Sequence, residues 1–106
     1  MSKADSSPEL LPRTYRRFVE KFPQLAEHHE AIGKAVDDVG PLDAKSRELI
    51  KMGIAIGAGL VTATQSHARR ASEAGASEEE VDQAILLAMN TCGFPRTVAA
   101  WQWVRG

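Results

Sequence analysis

Two side chains in this sequence have the types and the setting for proton transfer: the carboxylate of Glu48 and the imidazole of His67. An imidazole titrates near neutrality and passes a proton in either direction, and a carboxylate beside it orients the ring or shares the proton. From Met52 through Ala68 no residue carries a formal charge when His67 is neutral, and Gly53, Gly57 and Gly59 lie among Ile54, Ile56, Leu60 and Val61. That composition predicts two closely packed, buried helices with a polar group at each margin.

Two further residues carry chemistry in principle. Cys92 is the one cysteine, so it cannot close an intramolecular disulfide. It precedes Gly93-Phe94-Pro95, where the N-terminus of a following helix favours a thiolate. A peroxidase built on one cysteine still needs an external resolving thiol, and a small lone cysteine beside an apolar helix reads as a packing residue. His29 lies on an apolar helical stripe and reads as a hydrogen-bonded core or interface histidine, with His28 pointing outward. His29, His67 and Glu48 have the composition of a two-histidine, one-carboxylate metal set, but no two of them share a metal-binding spacing on one helix. No metal and no cofactor are assigned.

The elements that must position these groups are helical throughout. Met1 to Pro8 is polar and reads as a mobile tail. Leu11, Tyr15, Phe18, Val19 and Phe22 share one helical face beside Arg13, Arg16, Arg17 and Lys21, which read as a solvated basic face. Pro23 suits the first turn of a new helix whose stripe of Leu25, His29, Ile32, Val36 and Val39 ends at Gly40-Pro41. Asp43 caps the next helix and lies four residues from Arg47, a surface ion-pair spacing. In that helix Ile50, Gly53, Ile54 and Gly57 form the expected close-packing face, with Glu48, Met52 and Ala55 on an adjacent one. Gly57 and Gly59 predict a break before the His67 helix, so that the two form a hairpin.

Gly75 stops the His67 helix, and Ser77-Glu78-Glu79-Glu80 reads as a capping box opening another. Val81, Ala84, Ile85 and Ala88 give it a buried face that Leu86, Leu87 and Met89 widen. Pro95 starts a last helix with Val98, Ala99, Trp101 and Trp103, the two tryptophans being placed to pack against something. No strand-like alternation, repeat or low-complexity block interrupts this, so the chain reads as one all-α domain over 1–106.

Composition narrows the function. With a net charge of -1 the chain has no bulk bias toward nucleic acid or anionic lipid. The glycine-broken apolar stretch is neither a signal peptide nor a membrane span, and the single cysteine gives no sign of an oxidising compartment, so a cytoplasmic protein is expected. At 106 residues such a domain leaves about a third of its unfolded surface exposed, which a partner subunit would help to cover.

Taken in order, Gly40-Pro41-Leu42-Asp43, Arg47-Glu48-Leu49-Ile50, His67-Ala68, Ala74-Gly75-Ala76-Ser77-Glu78-Glu79 and Gly93-Phe94-Pro95 resemble the carboxymuconolactone decarboxylase family, which includes the AhpD-like alkylhydroperoxidases. The likeness runs from about Leu11 to Trp103. It implies an AhpD-like orthogonal bundle of about six helices that oligomerises through helix faces, as a trimer or hexamer. In the peroxidase branch the motif is Glu-x11-Cys-x2-Cys-x3-His; Glu48 and His67 match it, while Leu60 and Ala63 stand at the cysteine positions. Without a thiol pair, dithiol peroxidase chemistry is disfavoured.

The decarboxylase branch implies instead a cofactor-independent acid–base site, with Glu48 and His67 as catalytic residues acting on a small lactone or carboxylic acid. An anionic substrate of that kind wants a cationic lining, for which Lys51, Arg69, Arg70 and Arg96 are at hand. Two alternatives accompany it: a peroxidase-like activity through Cys92, and a non-catalytic oligomeric scaffold in which Glu48 and His67 only hold two helices in register.

Overall fold

In the computed structural model, which describes residues 13–106, Asp43 and Ser77 cap the starts of two helices through their side chains, and the left-handed Gly59 and Gly75 follow the ends of two. The described residues fall into two compact units divided between Pro41 and Leu42. The expected tail at Met1 to Pro8, and Leu11 of the first apolar face, lie outside the described residues.

The first unit holds α1 (Arg13–Lys21) and α2 (Pro23–Asp37). Pro23 has no N–H to leave unsatisfied, so it stands in the first turn of α2. Phe22 leaves helical geometry between the two, with φ -126 and ψ 64. Hydrogen bonds nevertheless cross the joint, from Phe22 N to Phe18 O at 2.8 Å and from Ala26 N to Phe22 O at 3.2 Å. Neither helix has a buried residue. The apolar side chains of Tyr15, Phe18, Phe22, Leu25, Ile32 and Val36 are all exposed.

The second unit holds α3 (Ala44–Ala58), α4 (Val61–Glu73), α5 (Glu78–Leu86) and α6 (Phe94–Arg105). Asp43 Oδ1 accepts a 2.8 Å hydrogen bond from Ser46 N, which satisfies one free donor at the start of α3. At the other end Gly59 adopts φ +75, and Leu60 N donates to Ala55 O at 2.9 Å. That left-handed residue, cheap only for glycine, turns the chain straight into α4. The same device recurs after α4, where Gly75 has φ +105 and Ala76 N donates to Ala71 O. The capping box follows: Glu80 N donates to Ser77 Oγ at 3.0 Å and Ser77 N to Glu80 Oε1 at 2.9 Å.

Met52 and Ile56 of α3 and Val81 and Ile85 of α5 are buried to 1% exposure or less. The facing positions are small, Ala68 and Ala71 on α4 and Ala100 on α6, so the backbones approach closely around those larger side chains. Trp103 packs against this core, whereas Trp101 is exposed and donates from Nε1 to Asp82 Oδ1 at 3.2 Å. Two buried hydroxyls are satisfied within their own helices, Thr64 on Leu60 O and Thr97 on Gly93 O.

One expectation about α3 is corrected. The predicted close-packing face of Ile50, Gly53, Ile54 and Gly57 is exposed, and the core instead takes Met52, Ala55 and Ile56. Both faces are apolar and sit side by side on the helix, so periodicity alone does not choose between them. The described residues contain no strand, and no helix among them is long and apolar enough to cross a membrane.

Candidate functional site

Glu48 lies in the second turn of α3 and His67 in the second turn of α4. The left-handed turn at Gly59 brings the two helices alongside each other, and His67 Nδ1 comes to 2.7 Å from Glu48 Oε1. Both side chains are mostly enclosed, with 20% of His67 and 14% of Glu48 exposed. An Nδ1–H donated to a carboxylate fixes the ring's orientation and its tautomer, which leaves a lone pair on Nε2. None of the hydrogen bonds among the described residues uses Nε2. An imidazole held in this way at Nδ1 is able to exchange a proton through its other nitrogen.

The turn that sets this geometry is clamped from α6. Arg96 Nη1 donates to the carbonyl of Ile56 at 2.8 Å and to that of Gly57 at 3.3 Å, adding a charged donor to an Ile56 carbonyl that also accepts from Gly59 N at 3.0 Å. The guanidinium also brings positive charge to the negative end of α3.

The model of the carboxymuconolactone decarboxylase family matches residues 23–106, most of the sequence. The chain belongs to that family. No curated relative matches it.

This carboxymuconolactone decarboxylase family member has no redox cysteine pair, since Cys92 is its one cysteine. The positions that the peroxidase motif gives to thiols are filled by Leu60, exposed just before α4, and Ala63, half-buried within it. Cys92 is exposed, which corrects its reading as a packing residue. It lies in the turns after α5, where Thr91 Oγ1 is 3.7 Å from its sulfur. Its position follows from Ala88, whose carbonyl accepts from both Cys92 N and Gly93 N and folds the chain back before α6.

Cys92 also lines an open groove of about 460 Å³. Leu49, Ile50 and Gly53 of α3 form one wall, Ala84, Leu87 and Ala88 the other. At its rim Lys45 Nζ donates to Glu80 Oε2 at 3.0 Å. Glu80 is thereby held below the usual carboxylate range, first by the Ser77 backbone N–H and then by Lys45. Neither Glu48 nor His67 lines this groove. It opens between α3 and α5, whereas the pair sits where α3 meets α4.

Two of the cationic candidates for an anion-binding lining have other occupations. Arg96 holds the α3 carbonyls, Arg69 Nε lies 3.9 Å from Glu73, and Arg70 is exposed. His29 is exposed on α2 rather than packed, and no group of three potential metal ligands forms among the described residues. Reading the sequence missed the Arg96 clamp and the Lys45–Glu80 pair. Their partners are 40 and 35 residues apart, beyond any helical spacing that could have signalled them.

Proposed function

We propose that this protein performs cofactor-independent acid–base chemistry on a small lactone or carboxylic acid, with His67 as the proton carrier and Glu48 as the group that orients it. The observation that carries the reading is the 2.7 Å contact from His67 Nδ1 to Glu48 Oε1, which leaves Nε2 uncommitted. Family membership supplies the reaction class. In a decarboxylation the bond between the substrate carbon and its carboxylate breaks, carbon dioxide leaves, and the electron pair stays on carbon as an enolate. An imidazolium at His67 then delivers its Nε2 proton to that carbon and recovers one from water, with Glu48 stabilising the charged ring. We take the setting to be cytoplasmic and the working form to be a homo-oligomer whose neighbouring subunits complete the wall around Nε2.

The test is a screen of small lactones and carboxylic acids in deuterated water, read by carbon dioxide release and by deuterium at the product carbon. Turnover undiminished in His67→Ala would end the proposal.

The separation of the groove from the pair favours a second reading, a non-catalytic oligomeric scaffold in which Glu48 and His67 hold α3 and α4 in register. Absence of turnover throughout the screen, together with a lower melting temperature in His67→Ala, would support that reading. The exposure of Cys92 supports a third, thiol-dependent peroxide reduction with an external thiol as reductant. It requires peroxide consumption that disappears in Cys92→Ser.

A further inference from the structure

The uncovered side of α1 and α2 has a regular order. Leu25, His29, Ile32, Val36 and Val39 are spaced four, three, four and three residues apart, and Tyr15, Phe18 and Phe22 keep the same alternation across the Phe22–Pro23 joint. A strict four-three stripe is the seam of a coiled coil rather than the broader face of a helix lying on a domain core. Its apolar members are exposed, from 42% at Phe22 to 84% at Val39, and His29 is exposed with them.

What flanks the seam favours a helix as its cover. On α2 the adjoining positions are Ala26, His28, Gly33 and Ala35, all but one of them small. Open space surrounds the point where a Cβ on Gly33 would stand. The charged residues Glu27, Glu30, Lys34 and Asp37 fall on the outer positions, away from the seam. A partner helix thus meets no charge in the seam and comes close.

Charge selects the partner and its direction. On α1, Arg13, Arg16, Arg17 and Lys21 against Glu20 give a formal charge of +3; from Pro23 to Asp38, Lys34 against Glu27, Glu30, Asp37 and Asp38 gives -3. A parallel copy would set like on like. An antiparallel copy sets each segment against its opposite.

We propose that this stripe is a homotypic interface on which α1 and α2 of a second copy lie antiparallel, related by a two-fold axis near Glu27. Phe18 then faces Val36 of the second copy, Phe22 faces Ile32 and Leu25 faces His29, with Tyr15 level with Val39, just past the end of α2. Every layer pairs one seam position with its complement. The same register brings Arg17 level with Asp37, Arg16 with Asp38 and Glu20 with Lys34. His29 is the one polar member of the seam, and in this pairing it fixes the register.

The interface is tested on the full chain by sedimentation velocity across a concentration series. The wild type is expected to self-associate, and Ile32→Glu to weaken that association at least tenfold while its circular dichroism and melting temperature stay those of the wild type. Register is read by disulfide trapping in a Cys92→Ser background. Phe22→Cys combined with Ile32→Cys should give a cross-linked dimer on mild oxidation, and Ile32→Cys alone should not. A wild type that stays monomeric, an Ile32→Glu variant that associates unchanged, no cross-link in the double-cysteine protein, or a cross-link through Ile32→Cys alone would each overturn the proposal.

Discussion

Arg96, near the start of α6, is hydrogen-bonded to the backbone carbonyl of Ile56, in the last turn of α3, at 2.8 Å. The contact joins the first and last helices of the second unit at the turn from which α4 departs. Replacing Arg96 with alanine leaves carbonyls at that helix end without their charged donor, at a cost of about 1–3 kcal/mol. Chemical denaturation of Arg96→Ala should show that loss. Arg96→Lys, which keeps the charge but not the planar fork, should fall between it and the wild type.

Gly59 beside it is expected to resist substitution. At φ +75 an alanine is strained by about 1–2 kcal/mol, and its Cβ would approach Arg96 Nη1 to 3.2 Å. Thermal unfolding of Gly59→Ala, Arg96→Ala and the double variant should give a double loss smaller than the sum, because the two substitutions disturb the same contact.

The two apolar faces of α3 and α5 should separate cleanly in mutagenesis. Ile85 is fully buried, and Ile85→Ala should cost about 2–5 kcal/mol through lost burial and the cavity left behind. Ile54 is 67% exposed, and Ile54→Ala should change the stability of the dilute protein by less than about 0.5 kcal/mol. Urea titrations of the two variants decide this.

That contrast marks what was legible in the sequence. Asp43, Gly75, the Ser77–Glu80 box and Pro95 were readable because each acts on a backbone within a few residues, where residue type alone sets the local hydrogen bond. Glu48 and His67 were readable as a pair because one short hairpin joins their helices. The choice between Met52 with Ile56 and Ile50 with Ile54 as the buried face was not, since both are apolar and only the packed partner helices distinguish them. Arg96 looked like one cation among several until the fold set it against the end of α3.

Acid should loosen the second unit at its helix starts. Asp43 is held below its ordinary pKa of 3.8, chiefly by the Ser46 backbone N–H, and Glu80 below 4.5, chiefly by that of Ser77. Both folded values are depressed, so these groups contribute their full stabilisation above the unfolded values and lose it as pH falls through the folded ones. Melting temperature should therefore decline below about pH 4.5. Glu80→Gln should flatten that decline relative to wild type, and a slope unchanged by the substitution would remove Glu80 from the explanation.

On any substrate found by the screen, His67→Ala should lower kcat by about 10²–10⁴-fold, the usual worth of a positioned proton carrier. Glu48→Gln keeps the shape but removes the carboxylate, and should move the pH dependence of kcat as well as its size. A Glu48→Gln profile superimposable on wild type apart from scale would restrict Glu48 to a structural part.

Glu48 and His67 are only 19 residues apart, and a single left-handed glycine turns the chain between their helices. Contacts of such short span close early, on the microsecond scale of local helix and loop formation. During synthesis the two helices can therefore meet while the ribosome still holds the residues of α6, and the Arg96 clamp arrives afterwards. The Glu48–His67 pair is in this sense encoded by one contiguous stretch of the gene, so that substitutions outside it tune how firmly the pair is held rather than whether its two members meet.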